Sequence, residues 1–347
     1  MTYLFGNALG SVKSMDTSLL NSDVVFTNTI QLGAGWYWQP GVIRRVFSNF
    51  DYYILNGETR SLSAWVFSLI ACAIGKRKKV FFWSHGWYGK ETKMESLIKK
   101  ILFHLPGGGV FLYGNYARKL MIKEGFNSSK LFVIHNSLDY ERQLSIRLQL
   151  PLSDIYKNHF GNDNKIIIVI GRLNKRKQLP LLLKAVQLLS SKGEKFNVVF
   201  VGDGDERKNL EELTVSFDLQ DQVWFYGACY DEKKNGMLIF NSDICVMPGD
   251  IGLTAIHCLT FGTPCITHDN FSHQGPEFEA IHSGETGDFF KHGNLDSLAT
   301  IISRWFRTHQ SREIVRTTCY KVIDDEWTPQ YQMKVLKYVL GNDLISK

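Results

Sequence analysis

The sequence lacks any long apolar run. No uninterrupted hydrophobic stretch in its 347 residues reaches the roughly 18 residues of a membrane-spanning helix, and the N-terminus lacks the basic, apolar and small-residue order of an export signal. Hydrophobic residues are 44% and charged residues 21% of the chain, as in an ordinary globular protein. We therefore expect a folded cytoplasmic protein with enough apolar surface for two cores.

Cysteines are few and irregularly spaced. The six are Cys72, Cys229, Cys245, Cys258, Cys265 and Cys319. Without a Cys-x-x-Cys pair or a regular framework, they indicate reduced and mostly buried thiols, and they argue against structural zinc. His268 and His273, with Asp269, have no third ligand at a recognised spacing, so no metal site is predicted.

Positive charge is concentrated in the first part of the chain. The net charge is +6, and residues 1–150 hold 18 Lys and Arg against 9 Asp and Glu. This excess suits nucleic acid or anionic lipid, but a solvated surface without a partner gives the same count. The many Trp, Tyr and Phe nearby favour a membrane surface, and no nucleic-acid partner is predicted.

Residues 61–79 predict an apolar helix that ends in the basic run 76–79. Two interpretations stay open. The helix could lie on anionic lipid headgroups, or it could face the core while its basic end complements the helix dipole.

Short β-branched and aromatic runs alternate with helical patterns along the chain, which is typical of βαβ units and parallel sheets. The runs lie at 23–27, 52–56, 80–84, 110–113 and 130–135, and then at 165–171, 197–202, 222–226, 243–247 and 264–267. The break between the two series predicts an α/β chain with two domains, at 1–145 and 160–324. The linker is expected near 140–164, and a final helix at 325–347 is expected to pack back on the first domain.

A strand that ends in Gly171 leads into a basic loop with Arg172 and Lys177 before the next helix. Ligands of parallel sheets collect at the carboxyl ends of the strands, and both cations would neutralise a diphosphate there. A basic surface loop without a ligand is the alternative. The sequence has no Gly-x-x-x-x-Gly-Lys phosphate loop and no Gly-x-Ser-x-Gly turn.

The motifs of the second domain occur in an order that resembles one family. Gly171-Arg172-Leu173 with Lys177 is followed by Gly202-Asp203-Gly204, by 223–227, by 241–248, by Gly262-Thr263-Pro264, and by Pro276-Glu277 with 284–287. This order is similar to that of the retaining GT-B glycosyltransferases of family 4. The resemblance implies two Rossmann-like domains that face a central cleft.

The resemblance also implies roles for single residues. Arg172 and Lys177 would bind the donor diphosphate and stabilise the leaving group. The donor-binding residues would be Gly171, Gly202, Asp203, Gly204, Tyr226, Gly227, Asp250, Gly252, Leu253, Thr254 and His257. The backbone at 252–254 opens a helix, so its N–H groups would cradle phosphate.

The chain departs from the family at one pair of positions. The family usually has two glutamates eight residues apart, one near the donor sugar and one near the ribose. Here Gly249 and His257 occupy these positions, and Asp250 is the only acid nearby. His257 would either bond to the ribose or be an ordinary core histidine.

In the first domain the likeness is thinner. His85 ends a strand where the family often has a His-Gly pair that reaches the donor sugar, so His85 is the third predicted catalytic residue beside Arg172 and Lys177; a structural histidine is the alternative. The following loop supplies Trp87, Tyr88 and Glu91 as predicted acceptor-binding residues.

The predicted function is transfer of a sugar from a UDP- or GDP-linked donor, with retention and without cofactor or metal, in surface polysaccharide or lipopolysaccharide biosynthesis. The expected acceptor is a glycan or a polyprenyl-diphosphate-linked saccharide at the inner face of the cytoplasmic membrane. Because the glutamates are missing, a catalytically weakened nucleotide-sugar scaffold or sensor is the alternative. An epimerase on the same fold would need a carboxylate and histidine cluster that the sequence does not clearly supply.

Overall fold

The computed structural model describes residues 2–6, 22–308 and 311–341. The chain divides into two units. One contains residues 1–134 together with 333–347, and the other is the continuous segment 135–332. The first unit is therefore assembled from both ends of the chain.

The first unit contains a four-stranded parallel sheet. Its elements are β1 Thr2–Gly6, β2 Asp23–Thr27, β3 Ile30–Gln31, β4 Tyr37–Trp38, α1 Pro40–Arg44, β5 Tyr53–Asn56, α2 Leu62–Ala73, β6 Val80–Ser84, α3 Lys93–His104, β7 Gly109–Leu112, α4 Asn115–Lys123 and β8 Leu131–Val133. The sheet order is β5-β6-β7-β8. Strand β2 pairs in parallel with β1 in a separate two-stranded sheet, and β3 pairs antiparallel with β4.

Aromatic side chains fill the core of the first unit on both faces of this sheet. Because successive strand residues point to opposite faces, Phe81 and Phe82 of β6 enter different clusters. Phe81 stacks on Phe111 with ring centroids 5.5 Å apart, and Phe82 meets Phe103 edge to face at 5.4 Å. Such pairs stabilise the core by more than their buried area alone.

The second unit contains a six-stranded parallel sheet. Its elements are α5 Tyr140–Arg147, α6 Ile155–Phe160, β9 Lys165–Ile170, α7 Pro180–Ser191, β10 Phe196–Val201, α8 Arg207–Ser216, β11 Val223–Gly227, α9 Glu232–Asn241, β12 Ile244–Val246, α10 Thr254–Thr260, β13 Cys265–His268, β14 Gly287–Phe290, α11 Leu295–Thr308 and α12 Arg312–Glu326. The last helix, α13 Pro329–Leu340, begins in this unit and continues into the first one. The strand order is β11-β10-β9-β12-β13-β14. The chain therefore reverses its direction across the sheet between β9 and β12, which is where ligands bind in open α/β sheets.

The predicted linker is incorrect in the structure, because residues 140–164 belong to the second unit. Helices α5 and α6 lie in this segment, and buried Tyr156 donates its hydroxyl to the carbonyl oxygen of Leu238 at 2.8 Å. Arg147 pairs with Asp324 at 2.8 Å. The unit boundary accordingly falls between residues 134 and 135, and the predicted boundaries near 145 and 160 are too late. Short polar helices hid this packing from the sequence pattern.

The end of the chain returns to the first unit, but later than predicted. The expected helix at 325–347 is interrupted, because α12 ends at residue 326 and α13 begins at Pro329; residues up to 332 belong to the second unit. Leu336 and Leu340 then pack in one cluster with Phe81, Phe111 and Ile134. Residues 342–347 of the predicted helix lie outside the described residues.

Helix α2, predicted within residues 61–79, packs one side against the core of the first unit. Phe67 and Ala71 are buried beside Tyr53. The basic end is engaged by backbone oxygens: Lys76 Nζ donates to the carbonyl of Ser48 at 2.7 Å, and Arg77 Nε donates to that of Leu105 at 3.0 Å. In the part of the chain that the structure describes, no helix combines the length and apolar character needed to cross a bilayer.

Candidate functional site

Three glycines lie at the carboxyl ends of neighbouring strands of the six-stranded sheet. Gly171, Gly202 and Gly227 stand at the ends of β9, β10 and β11, with φ of 122°, 152° and 92°. A Cβ atom on Gly202 would lie 1.9 Å from the carbonyl oxygen of Gly171, and one on Gly204 would lie 2.2 Å from that of Leu173. Glycine is required for this close approach, which leaves hydrogen atoms where other residues would carry side chains.

The two cations predicted to bind diphosphate lie in the loop after β9. Arg172 is exposed, and its guanidinium has no hydrogen bond or ion pair within the described residues. Lys177 is partly buried, and its Nζ donates to the carbonyl oxygens of Asp250 at 2.7 Å and Ile251 at 3.2 Å. Burial lowers the pKa of Lys177, and the charge of Asp250 opposes the shift. An ammonium group has three donors, so one remains for a ligand.

The loop after β12 is tied to this basic loop. The backbone N–H of Gly249 donates to the carbonyl of Lys177 at 2.8 Å, and that of Asp250 donates to the carbonyl of Arg176 at 3.2 Å. Asp250 Oδ2 accepts from Arg176 at 2.5 Å, and its Oδ1 accepts from the N–H of Gly275 at 2.9 Å. The predicted donor residue Asp250 is therefore placed beside the cations with both oxygens engaged.

The backbone at 252–254 borders the same edge. Thr254 Oγ1 donates to the carbonyl of Ile170 at 3.2 Å and would lie 3.7 Å from a Cβ on Gly171. Gly252 has a φ of 51°, and the side chain of Leu253 is exposed. The start of α10 is thus adjacent to the glycine-lined strand ends.

Asp203 and Tyr226 lie toward the β11 side of the edge. Asp203 Oδ1 accepts from the N–H of Gly204 at 2.8 Å, and Tyr226 packs edge-on against Trp224 at 5.1 Å. Arg207 Nη1 lies 4.0 Å from Asp203 Oδ2. Arg207 is a further cation at this edge that the sequence analysis did not single out.

His257 is paired with a carboxylate. Its Nε2 hydrogen-bonds with Glu232 Oε1 at 2.9 Å, and the same oxygen accepts from Gln143 Nε2 at 2.8 Å. Burial alone would raise the pKa of Glu232, but the hydrogen bond and charge of His257 lower it overall. Glu232 was missed because contact between α9 and α10, not sequence spacing, brings it to His257.

Glu277 is a buried carboxyl group that sequence reasoning also missed. It is 4% exposed, and its Oε1 accepts from Asn136 Nδ2 at 2.9 Å. Burial raises the pKa of Glu277, and the charge of Asp250 adds to the shift. The available signal was the Pro276-Glu277 pair, which was assigned only to the closing segment of the domain.

In the first unit, His85 follows β6 on an exposed loop. Its ring lies 5.9 Å from that of Tyr88 and 4.7 Å from that of Tyr113. Loss of water around the ring lowers the pKa of His85, and the charge of Glu58 only partly opposes this. The imidazole is therefore neutral at pH 7, with one nitrogen able to accept and one able to donate a hydrogen bond.

Trp87, a predicted acceptor-binding residue, has a buried side chain in this structure. The residue is 3% exposed and packs against Phe103 and Phe126 with ring centroids 5.5 and 5.3 Å away. Its indole N–H donates to Ser96 Oγ at 3.2 Å. The positive φ of Gly86 (66°) turns the chain just before it, and the indole is buried in the core of the first unit.

Glu91 is occupied within the loop rather than directed to an acceptor. Its carboxylate accepts from the N–H groups of Tyr88 and Gly89 at 2.8 Å and pairs with Lys99 at 2.6 Å. Burial alone would raise the pKa of Glu91, but these partners lower it overall. Tyr88, the third predicted acceptor-binding residue, is partly exposed.

Three histidines gather at the end of β13. The ring of His292 lies 4.4 Å from that of His268 and 6.2 Å from that of His273, and Asp269 Oδ1 accepts from the N–H of His292 at 2.9 Å. Burial, with the neighbouring His292, lowers the pKa of His268 to about 4. His292 is distant in sequence and was not grouped with the others.

Three cysteines cluster beneath the loop after β12. The Sγ atoms of Cys245, Cys258 and Cys265 lie within 4.8 Å of one another, and all three residues are fully buried. The register of β12 and β13 places Cys245 beside Cys265. Irregular sequence spacing concealed the cluster, and the expectation of no metal site was made without it. Buried thiols also serve as small apolar core side chains.

Comparison with known proteins supports the assignment of the second unit. Residues 153–322 match the family model described as glycosyl transferases group 1. An uncharacterized glycosyltransferase of Methanocaldococcus jannaschii is 23% identical over 210 residues, which are 60% of this chain and 50% of that protein. Alpha-D-kanosaminyltransferase of Streptomyces kanamyceticus is 27% identical over 117 residues, which are 33% of this chain and 30% of the length of that enzyme. The chain thus spans half or less of these relatives.

Solved structures resemble the whole chain at low identity. Anabaena HepE in complex with UDP superposes with a TM-score of 0.68 at 15% identity, covering 91% of this chain and 86% of that one. The apo form of the lipopolysaccharide outer core galactosyltransferase WaaB has a TM-score of 0.70 at 14% identity, covering 96% and 88%.

The parallel sheets and these structural neighbours define an α/β protein of the GT-B fold, as the sequence predicted. The match of residues 153–322 to the model of glycosyl transferases group 1 agrees with this fold. The predicted resemblance to GT-B glycosyltransferases is therefore confirmed.

Proposed function

We propose that the protein transfers a sugar from a nucleotide diphosphate sugar to a glycan or lipid-linked saccharide, with retention of the anomeric configuration. The observation that carries this proposal is the glycine-lined strand edge with Arg172 and Lys177 in the adjoining loop. The similar HepE structures contain UDP or UDP-glucose, which favours a uridine-linked donor. The similarity to WaaB favours a lipopolysaccharide or related surface glycan as the acceptor.

The proposed chemistry depends on stabilising a departing diphosphate. As the bond from the sugar to the diphosphate breaks, negative charge grows on the phosphate oxygens. Arg172 supplies a planar pair of donors, and Lys177 supplies its remaining N–H, in the role that a divalent cation has in metal-dependent transferases. In a retaining transfer the acceptor hydroxyl attacks on the face that the diphosphate leaves, and a diphosphate oxygen takes its proton.

His85 is proposed to contact the donor sugar. A neutral imidazole can accept a hydrogen bond from one hydroxyl and donate one to another, and the lowered pKa of His85 favours this form. Tyr88 offers a ring against which an acceptor sugar can stack.

The first unit is also proposed to rest on an anionic membrane surface through α3. Met94, Leu97 and Ile101 follow one another at helical spacing and are 65%, 52% and 52% exposed. Lys93 and Lys100 lie on the same helix. An apolar helix face beside lysines is complementary to anionic headgroups over acyl chains.

Vesicle sedimentation tests this surface. The double variant Leu97→Glu/Ile101→Glu should lose binding to phosphatidylglycerol vesicles, while Leu69→Glu/Ile74→Glu on α2 should keep it. Both pairs replace exposed apolar residues, so the α2 variant controls for added charge. Loss of binding in the α2 variant alone would move the contact to α2, and equal binding to phosphatidylcholine would contradict an anionic surface.

The alternative function is a nucleotide-sugar scaffold or sensor. It is favoured by Gly249 and His257, which stand where the family has its two glutamates. Binding of a donor without any transfer or hydrolysis would identify this alternative.

The test of the main proposal is thermal unfolding with UDP, GDP and their sugars, followed by turnover of the stabilising donor with lipopolysaccharide or a lipid-linked saccharide. UDP and UDP-glucose are expected to raise the melting temperature, because a ligand that binds only the folded state stabilises it. The proposal would be falsified if neither the uridine nor the guanosine compounds bind.

A further inference from the structure

The position of the family's first glutamate is closed in this chain. A Cβ atom on Gly249 would lie 2.0 Å from the carbonyl oxygen of Arg176 and 2.7 Å from the carbonyl carbon of Lys177. The contact is between two backbone segments that also share hydrogen bonds, so neither can move aside cheaply. No side chain can be accommodated there, and any carboxylate that holds the donor sugar must come from elsewhere.

Two carboxyl groups converge a short distance away, around Gly275. A carbon atom built on Gly275 would lie 2.6 Å from Glu277 Oε2, 3.4 Å from the Cα of Gly252 and 3.6 Å from Asp250 Oδ1. One point therefore lies within 4 Å of both carboxyl groups and of the backbone at the start of α10. Residues more than 20 positions apart in the sequence meet here because the loops after β12 and β13 lie side by side.

Both carboxyl groups are held in place. Asp250 is fixed by Arg176 and by the N–H of Gly275, and Glu277 is fixed by the amide of Asn136. A rigid pair of this kind can form oriented hydrogen bonds without first losing side-chain freedom.

Burial and the nearby charge of Asp250 raise the pKa of Glu277. Together the two carboxyl groups offer four oxygen atoms, and carboxyl oxygens accept hydrogen bonds from the hydroxyls of a sugar ring.

We propose that Asp250 and Glu277 together hold the hydroxyls of the donor sugar and take the place of the sugar-binding glutamate that this chain lacks at Gly249. The proposal rests on the proposed function. The acids suit the sugar and not the diphosphate, because carboxylates repel phosphate oxygens. Lys177, whose Nζ bonds to the carbonyl of Asp250, places a cation next to the acids for the phosphates. Gly275 keeps the space between the two carboxyl groups open.

The test separates sugar contacts from nucleotide contacts. Dissociation constants for UDP and UDP-glucose, and for GDP and GDP-mannose, are measured by calorimetry for wild type, Glu277→Gln and Asp250→Asn. Each variant should weaken binding of the accepted sugar nucleotide by about tenfold, as expected for a hydrogen bond to a charged group, and should change binding of the bare diphosphate less than twofold. Glu285→Gln is the matched control, because Glu285 is exposed on the same unit.

A further variant shows whether a loss of binding in the acid variants comes from misfolding. Gly275 has a φ of −68°, which alanine adopts readily, so Gly275→Ala keeps both acids but displaces the Glu277 carboxyl by adding a methyl group. It should show the same selective loss of sugar-nucleotide binding. If all three variants bind sugar nucleotide as wild type does, or lose diphosphate and sugar nucleotide equally, the inference is overturned while the proposed function stands. A wild-type protein that binds no nucleotide would remove both.

Discussion

Arg172 and Lys177 have the same predicted role but different surroundings. Arg172 projects into solvent, whereas Lys177 donates to two backbone carbonyls of the loop after β12. Replacement of Arg172 is expected to remove only its proposed contact with the diphosphate. Replacement of Lys177 also leaves the carbonyls of Asp250 and Ile251 without their partner and loosens the loop that carries Asp250.

We predict that Arg172→Ala and Lys177→Ala each lower kcat/KM by about a hundredfold, as loss of one oxyanion donor does. Lys177→Ala should in addition lose about 1–3 kcal/mol of unfolding free energy, and Arg172→Ala should lose none. Steady-state kinetics and urea unfolding measure the two effects. Lys192→Ala, an exposed lysine that follows α7, is the control. Near-normal turnover in either variant would contradict the proposed role of that residue in stabilising the departing diphosphate.

His268 gives the protein a pH dependence at the residue scale. Its pKa falls from an ordinary 6.5 to about 4, so between these values the unfolded chain binds a proton that the folded chain does not. The stability that this residue contributes is therefore present above pH 6.5 and is lost as the pH falls toward 4.

Between pH 7 and pH 5 the wild type should lose about 2 kcal/mol more unfolding free energy than His268→Gln. Urea unfolding at both pH values measures the difference, in which the contributions of the other histidines cancel. Equal losses in the two proteins would show that His268 titrates normally.

At the scale of elements, the strand ends depend on glycine for two separable reasons. Gly202 has a φ of 152° and also approaches the carbonyl of Gly171, so both backbone conformation and space require it. Gly193, after α7, has a φ of 85° but has open space around it. Comparing the two separates backbone strain from steric contact.

Gly193→Ala should cost about 1 kcal/mol from strain, whereas Gly202→Ala should cost at least about 2 kcal/mol more because backbone atoms must move apart. Gly202→Ala should also weaken UDP binding, since it disturbs the strand ends. Urea unfolding and calorimetry measure these effects. Similar costs for the two variants would mean that the close approach at Gly202 relaxes easily.

At the scale of the whole molecule, the first unit depends on the end of the chain. Leu336 and Leu340 of α13 complete a cluster with Phe81, Phe111 and Ile134. The second unit is continuous from 135 to 332 and has its own core of buried strands. Each unit should therefore respond separately to a core mutation.

Leu336→Ala should destabilise the first unit by about 2–5 kcal/mol, the usual cost of a truncated core leucine. Hydrogen exchange should become faster in β6 and β7 and stay unchanged in β9 and β10. Tyr338→Ala, at a position that is 85% exposed, is the control. Equal acceleration in both sheets would show that the units unfold together.

The sequence by itself determined β2 and β5–β13, the parallel sheets, the GT-B class and the basic loop with Arg172 and Lys177, but it missed β1, β3, β4 and β14. Each of these depends on local patterns: apolar runs of strand length, glycine at a strand end, and charge within a few residues. Such patterns act directly on the local backbone, so the predicted strands agree with the observed ones to within a few residues at their ends.

Only the tertiary structure decided the unit boundary, the burial of Trp87, the internal role of Glu91 and the meeting of Asp250 with Glu277. In each case the deciding contact joins elements that are separate in sequence, or depends on how a turn such as Gly86 directs the next side chain. These contacts depend on how loops from different strands pack together. The spacing of residues along the chain does not reveal that packing.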